Sequence, residues 1–288
     1  MSRERRFLQC DVFSPIPMKG NGLAVVVDGD GLNAQQMQSF AAWTNLSETT
    51  FLLPPTDPVA DYQVRIFTPS EELPFAGHPT LGSCAAWLHV GGRPKQLDCV
   101  RQQCDVGLID IDVSGPQLKF LAPPTRQSEL TDSRLQEICA ALNLSPDVVL
   151  NSAILDNGPV WQILELDSAD AVLALDAVDA AKLIPAADPD SANLQMLGLF
   201  GAHAADQTCA LEVRMFAPGL GVGEDPITGS LIAAMAHWLQ SQGRLPESMV
   251  VAQGTRIGRH GRVTVSRTNA GVYIGGDCHV LIDGSVLL

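Results

Sequence analysis

Short apolar runs broken by turn-forming residues dominate the chain. "FLQCDVF" (7–13), "LAVVVDG" (23–29), "TTFLLP" (49–54) and "DYQVRIFT" (61–68) read as strands. Between the second and third, Met37, Phe40 and Ala41 fall at i, i+3 and i+4, and the polar Thr44 interrupts that face, so a short helix ends near Trp43. An alanine-rich helix is expected from Thr80 to about Val90, followed by strands at "QLDCV" (96–100), "GLIDIDV" (107–113) and "LKFL" (118–121). "LAPPTRQSELTDS" (121–133) is proline-rich and polar and reads as a linker before the helix "SRLQEICAALNL" (133–144). The second half repeats the layout with "VWQILEL" (160–166), helical stretches around Ala169 to Leu183, "CALEVRMF" (209–216) and a helix after Pro226. Alternating strands close the chain: "MVVAQ" (249–253), "GRVTVS" (261–266), "GVYIGG" (271–276) and "HVLID" (279–283). Many strands and few helices define an α+β class.

The halves also match residue by residue. "VRIFTP" (64–69) answers "VRMFAP" (213–218), and "HPTLGS" (78–83) answers "DPITGS" (225–230) without a gap. "GNGLAVVV" (20–27) and "DNGPVWQI" (156–163) share Asn-Gly before a strand. The same order of all three blocks in both halves points to duplication. It predicts two pseudo-symmetric lobes, 1–122 and 123–288, with the last strands free to cross back to the first lobe. Equivalent loops then face each other across a cleft, which brings His78 and Asp225 together.

That arrangement suggests chemistry. Each of those residues precedes a proline at or near a helix start, where the missing N–H costs nothing. Gly82 and Ser83, with Gly229 and Ser230, are small enough to let unpaired N–H groups reach a carboxylate. A carboxylate held this way leaves the neighbouring carbon open to proton removal, with the resulting charge stabilised by the same donors. His78, Asp225 and Glu48 are the candidate acids and bases; Glu48 sits between Ser47 and Thr49, just ahead of an apolar strand. Arg65 and Arg214 are equivalent and are expected to pair with carboxylates inside their own lobes. His237, Trp238, His89 and Trp87 read as core or interface residues.

Composition narrows the choice. The net charge of −14 disfavours nucleic acid and anionic membrane surfaces as partners. With 46% hydrophobic residues a sizeable core is available, yet no run approaches a membrane span, and the start lacks the apolar core of a signal peptide. Seven scattered cysteines, none in a C-x-x-C pair, fit small buried side chains in a reducing cytoplasm rather than zinc or disulfides. No H-E-x-x-H suggests a metal, and neither "GDGLN" (29–33) nor "GLGVG" (219–223) has the spacing of a dinucleotide loop.

The blocks "DVFSPIPMKGNGLAVV", "LSETTF", "RIFTPSEELPFAGHPTLGS", "GEDPITGS" and "QGTRIGR" together resemble the PhzF-like phenazine-biosynthesis isomerases, which have the diaminopimelate epimerase fold. The resemblance implies two lobes, each a β-barrel-like sheet around a central helix. It also implies an isomerase without metal or organic cofactor, often a homodimer, acting on a small carboxylate-bearing substrate. By position, Glu48 resembles the principal acid/base and His78 and Asp225 its partners. Gly77, Gly229 and Ser230 resemble the carboxylate cradle, and Asn21 of the first Asn-Gly pair joins the binding set. Thiol racemases of this fold use two cysteines, but the matching loops here carry "GHP" and "EDP", and Cys84 lies inside the following helix. Two positions depart from the family: Gly22 replaces the usual proline, and "AAWT" precedes "NLSET" where a charged pair is more usual. A non-thiol epimerase or racemase, and a metabolite-binding protein without turnover, are the alternative readings.

Overall fold

The computed structural model describes residues 2–176, 196–205, 207–217 and 223–288. The chain divides into two compact units, 1–121 with 273–288, and 122–272.

In the first unit, β1 (Glu4–Val12) pairs antiparallel with β2 (Asn21–Val26). Helix α1 (Ala34–Thr44) then crosses to β3 (Glu48–Leu53), which lies parallel to β2. Asn33 and Gln36 form a capping box at the start of α1, and Asn45 ends it in the left-handed conformation. The strand β4 (Tyr62–Phe67) returns antiparallel to β3 and carries the two-residue β5 (Glu72–Leu73) on its end. A second crossover, α2 (Gly77–His89), leads to β6 (Cys99–Cys104), parallel to β4. Two antiparallel strands follow, β7 (Gly107–Asp112) and β8 (Leu118–Leu121). The sheet wraps α2, which packs on β1, β2, β3, β6, β8 and β17 (Cys278–Leu287). Nearly every residue from Gly77 to Ala86 is buried, the signature of a helix enclosed on all sides.

The second unit repeats this scheme. β9 (Arg126–Ser128) and β10 (Val149–Asp156) pair antiparallel, as do β10 and β11 (Val160–Leu166). Helix α3 (Asp132–Leu142), capped by Thr131, precedes β10. α4 (Ala169–Ala174) lies on the crossover from β11 to the parallel β12 (Met196–Ala202). β13 (Leu211–Phe216) returns antiparallel. Helix α5 (Gly229–Ser241) crosses to the parallel β14 (Ser248–Gln253), which pairs antiparallel with β15 (Gly261–Thr268). The alternation of antiparallel and parallel pairings from β10 to β15 is that from β1 to β7, with β5 and α3 each confined to one unit, so the sequence repeat is a repeat of structure.

The boundary strands belong elsewhere than the order of the chain suggests. In β16 (Gly271–Gly276) the residues from Tyr273 onward pair with β8, and β17 pairs along its whole length with β1. Other departures from the expected pattern are local. α2 begins at Gly77, ahead of Thr80. "QLDCV" becomes a strand only from Cys99, because Asp98 adopts a left-handed φ of 60°. The expected linker contains β9. Of the helical stretch expected to Leu183, Ala169–Ala174 is helix and residues 177–183 lie outside the described residues, as do 219–222 of "GLGVG". Among the described residues no helix is long and apolar enough to cross a membrane.

Candidate active site

The first unit brings Glu48, His78 and Asn21 together. Glu48 opens β3 immediately after the loop that caps α1, His78 is the second residue of α2, and Asn21 opens β2. His78 Nδ1 lies 2.9 Å from Glu48 Oε2, and His78 Nε2 lies 3.2 Å from the Asn21 carbonyl. A carbonyl can only accept, so Nε2 carries a proton and donates it. Nδ1 and Oε2 therefore hold one further proton between them: a neutral imidazole faces a carboxylic acid, or an imidazolium faces a carboxylate. Either way the glutamate is one proton transfer from its conjugate form. The His78 side chain is 5% exposed and that of Glu48 17%, so the carboxyl is the member of the pair open to a small molecule.

The loop before Asn21 is held from below. The buried Asp11 carboxylate accepts the N–H groups of Lys19 (3.1 Å) and Gly20 (2.9 Å), and a Cβ at Gly20 would lie 2.4 Å from the Val12 carbonyl. Ser47 Oγ donates to the Asn21 side-chain oxygen at 3.4 Å. Gly77 is the first residue of α2, and a Cβ there would meet the Phe120 ring at 2.6 Å. The first ladder bond of α2 runs from Thr80 N–H to Ala76 O, which places the N–H groups of Gly77 and His78 ahead of the ladder.

In the second unit Asp225 is buried at 8% exposure. It is not the cap of α5. That position is taken by Thr228, whose hydroxyl donates to Asp225 Oδ2 at 2.5 Å. The backbone N–H of Thr228 donates to Gln253 Oε1 at 2.9 Å, and Gln253 Nε2 donates to the Asp225 carbonyl and to Thr228 Oγ1. Gly229 and Ser230 are the first two residues of α5, ahead of the first ladder bond from Ile232 to Thr228. Asn157, the counterpart of Asn21, donates to the Ser230 carbonyl at 2.8 Å and accepts from Trp161 Nε1. Thr228, Gln253 and Asn157 were not singled out from the sequence. All three lie in blocks the sequence displays: Asn157 in the Asn-Gly repeat, Thr228 in "GEDPITGS" and Gln253 in "QGTRIGR".

The structure corrects the expectation for Gly82 and Ser83. Because α2 starts at Gly77, both lie past its first turn, where N–H groups are committed to the helix ladder. Gly82 is small for packing: a Cβ would lie 2.5 Å from Leu23 Cδ2 and 2.9 Å from Val12 Cγ2. Ser83 is fully buried and donates to Thr50 Oγ1 at 2.9 Å. Neither can present an N–H to a ligand.

Cys84 lies buried in the same helix, and burial pushes its thiol far up, away from the thiolate that racemase chemistry requires. Burial, aided by Asp11, likewise pushes the Cys10 thiol up to about 12. Arg65 and Arg214 each pair inside their own unit, with Glu72 at 2.6 Å and Glu224 at 2.8 Å. Among the described residues no group of three or more His, Cys, Asp or Glu side chains could hold a metal ion.

A central helix enclosed by strands, repeated twice in one chain, defines the diaminopimelate epimerase class of α+β folds. Solved structures agree. A PhzF-family phenazine biosynthesis protein from Bacillus anthracis covers 99% of this chain and all of its own, with a TM-score of 0.84 at 22% identity. A predicted epimerase from Pseudomonas aeruginosa superposes at 0.81 with 27% identity, 99% of each chain being covered. A hydroxyproline epimerase from Agrobacterium vitis shares the fold at 0.62 and 14% identity, over 99% of this chain and 93% of its own.

The chain belongs to the phenazine biosynthesis-like (PhzC-PhzF) family, whose family model matches residues 10–284. Among its relatives, the fission yeast protein named antisense-enhancing sequence 1 is 34% identical over 98% of both chains. The trans-2,3-dihydro-3-hydroxyanthranilate isomerase of P. aeruginosa is 33% identical over 92% of this chain and 91% of its own. Relatives named as isomerases place the chain in an isomerase family.

Proposed function

We propose that the protein is an isomerase that moves a proton on a small carboxylate-bearing metabolite, with no metal or organic cofactor. Glu48 carries the proton, His78 sets its protonation state, and Asp225, the counterpart of His78 in the repeat, assists. Gly77, Gly229 and Ser230 supply backbone donors for the substrate carboxylate, and Asn21 anchors the histidine. The observation that carries this reading is the Glu48–His78 contact with Nε2 pinned on the Asn21 carbonyl. With His78 as the imidazolium beside it, the Glu48 carboxylate can abstract a proton on its other oxygen and return it at another carbon, which requires neither a thiol nor a metal. We propose further that it acts in the cytoplasm as a homodimer; sedimentation velocity checks the assembly.

The test is proton exchange in deuterated water. The probes are trans-2,3-dihydro-3-hydroxyanthranilate, the compound in a relative's name, and a panel of small amino and hydroxy acids. Wild-type protein is expected to place deuterium on carbon, and Glu48→Gln to lower that rate by about 10²–10⁴. Exchange by Glu48→Gln at the wild-type rate rules out the assignment. Chiral analysis of the product separates bond migration from inversion.

A further inference from the structure

We infer that Gln253 is a positioning residue that aims the Thr228 hydroxyl at the Asp225 carboxylate; its importance for turnover rests on the function proposed above. Gln253 is fully buried at the end of β14, and both ends of its amide are used. Its oxygen accepts the Thr228 N–H at 2.9 Å, and its nitrogen donates to the Asp225 carbonyl at 3.1 Å and to Thr228 Oγ1 at 3.0 Å. An amide nitrogen only donates, so one of the two lone pairs of Thr228 Oγ1 is occupied from the Gln253 side. The hydroxyl proton must then point elsewhere, and Asp225 Oδ2 receives it at 2.5 Å. The order of donation, Gln253 to Thr228 to Asp225, has one direction only. Each bond polarises the next, and the last is charge-assisted when Asp225 is ionised.

The backbone around Gln253 is built to hold this geometry. Gly254 has a φ of +84°, and a Cβ there would lie 2.6 Å from the Pro226 carbonyl. Across the β14–β15 pair, a Cβ at Gly261 would meet Ile227 at 2.4 Å and the Gln253 carbonyl at 2.7 Å. The turn carrying Asp225 is thus pressed onto the glutamine by close backbone contact. The first unit offers a comparison. Buried Gln102, on the strand that corresponds to β14, donates to Thr80 Oγ1 at 3.0 Å and accepts from Tyr62. There the threonine hydroxyl donates to the Ala76 carbonyl, not to a carboxylate. A buried glutamine bonded to a threonine hydroxyl thus occurs in both units, but Thr80 aligns with Ile227 in the repeat, and the clamp on the turn backbone and on an acid belongs to the second.

The test needs no substrate. The carboxyl of Asp225 is followed by ¹³C NMR titration of the full chain, with Asp225→Asn identifying its resonance. Thr228→Val removes the donated proton and should raise the Asp225 midpoint by about one pH unit. Gln253→Met should move it in the same direction. The double variant should go no further than the larger single change, because one chain of bonds is being broken. Gln253→Glu keeps the acceptor for the Thr228 N–H but lacks the donor and adds a like charge, so it should raise the midpoint most; it also serves if the methionine variant does not fold. Gln102→Leu should leave the Asp225 titration at its wild-type position. A wild-type midpoint in the Gln253 variants, or additive shifts in the double variant, overturns the inference. If Glu48→Gln retains exchange, the proposed function fails while the titration still decides the role of Gln253.

Discussion

Gly-Ser occurs at the same place in both repeats and does different work in each. In α5 the pair opens the helix; in α2 it lies against Val12, Leu23 and Thr50. The alignment of "HPTLGS" with "DPITGS" was legible from the sequence, but the starting residue of each helix was not. Proline tolerates any position in a first turn or just ahead of it: Pro79 is the third residue of α2, whereas Pro226 precedes the cap of α5. Gly82→Ala should therefore act through packing and cost about 1–3 kcal/mol, read as a lowered urea midpoint with unchanged slope. Glu48 and His78 were singled out from their neighbours in sequence, and their side chains meet at 2.9 Å. The pinning of His78 by a main-chain carbonyl was invisible there, since any residue can supply that oxygen.

Between elements, the two arginine strands show how a duplicated motif diverges in energy. Arg65 and Arg214 each sit over the phenylalanine two residues on, at 5.2 and 4.9 Å from ring centroids, and each pairs with a glutamate. The side chains of the first pair are 27% and 39% exposed, those of the second 2% and 11%. Arg214 also donates to the carbonyls of Val172 and Leu175, so it ties α4 to β13. Arg65→Ala should cost less than about 1 kcal/mol, and Arg214→Ala about 3–5, by leaving Glu224 with a buried, unpaired charge. Chemical denaturation of the two variants checks the contrast. Intra-lobe pairing was expected from the sequence; the partners were not, because Glu72 and Glu224 reach their arginines through loops of different length. Strands β10 and β12 escaped the pattern for separate reasons. β10 is half exposed and carries Asn151 and Ser152. β12 holds Gly198 and Gly201, where a Cβ would strike Leu231 at 2.6 Å and the Ser168 carbonyl at 2.2 Å.

Across the whole molecule, part of the acidic complement is committed to ion pairs. Hydrogen bonds from Arg101 to Asp110, from Arg126 to Asp156 and from Arg6 to Asp283 hold these carboxyls below their ordinary range. Burial alone would raise Glu165, but Arg244 and Asn151 outweigh it and lower it as well. A carboxyl depressed in the folded state binds its proton more readily when unfolded. The stability it contributes is therefore complete above its ordinary range and lost as pH falls below about 4. Thermal melting should be nearly flat from pH 7 to 5 and drop steeply from about 4 to 3, with added salt shrinking the drop because most of these pairs are exposed. A melting temperature unchanged at pH 3 would contradict this.

The return of β17 to β1 sets an order of assembly. The segment that closes the first sheet follows all of 122–272, so a growing chain presents β1 with a bare edge throughout synthesis of the second unit. The part made first is finished last. Until the final strand arrives, the unit that carries Glu48 and His78 depends on being shielded from strangers that would pair with that edge.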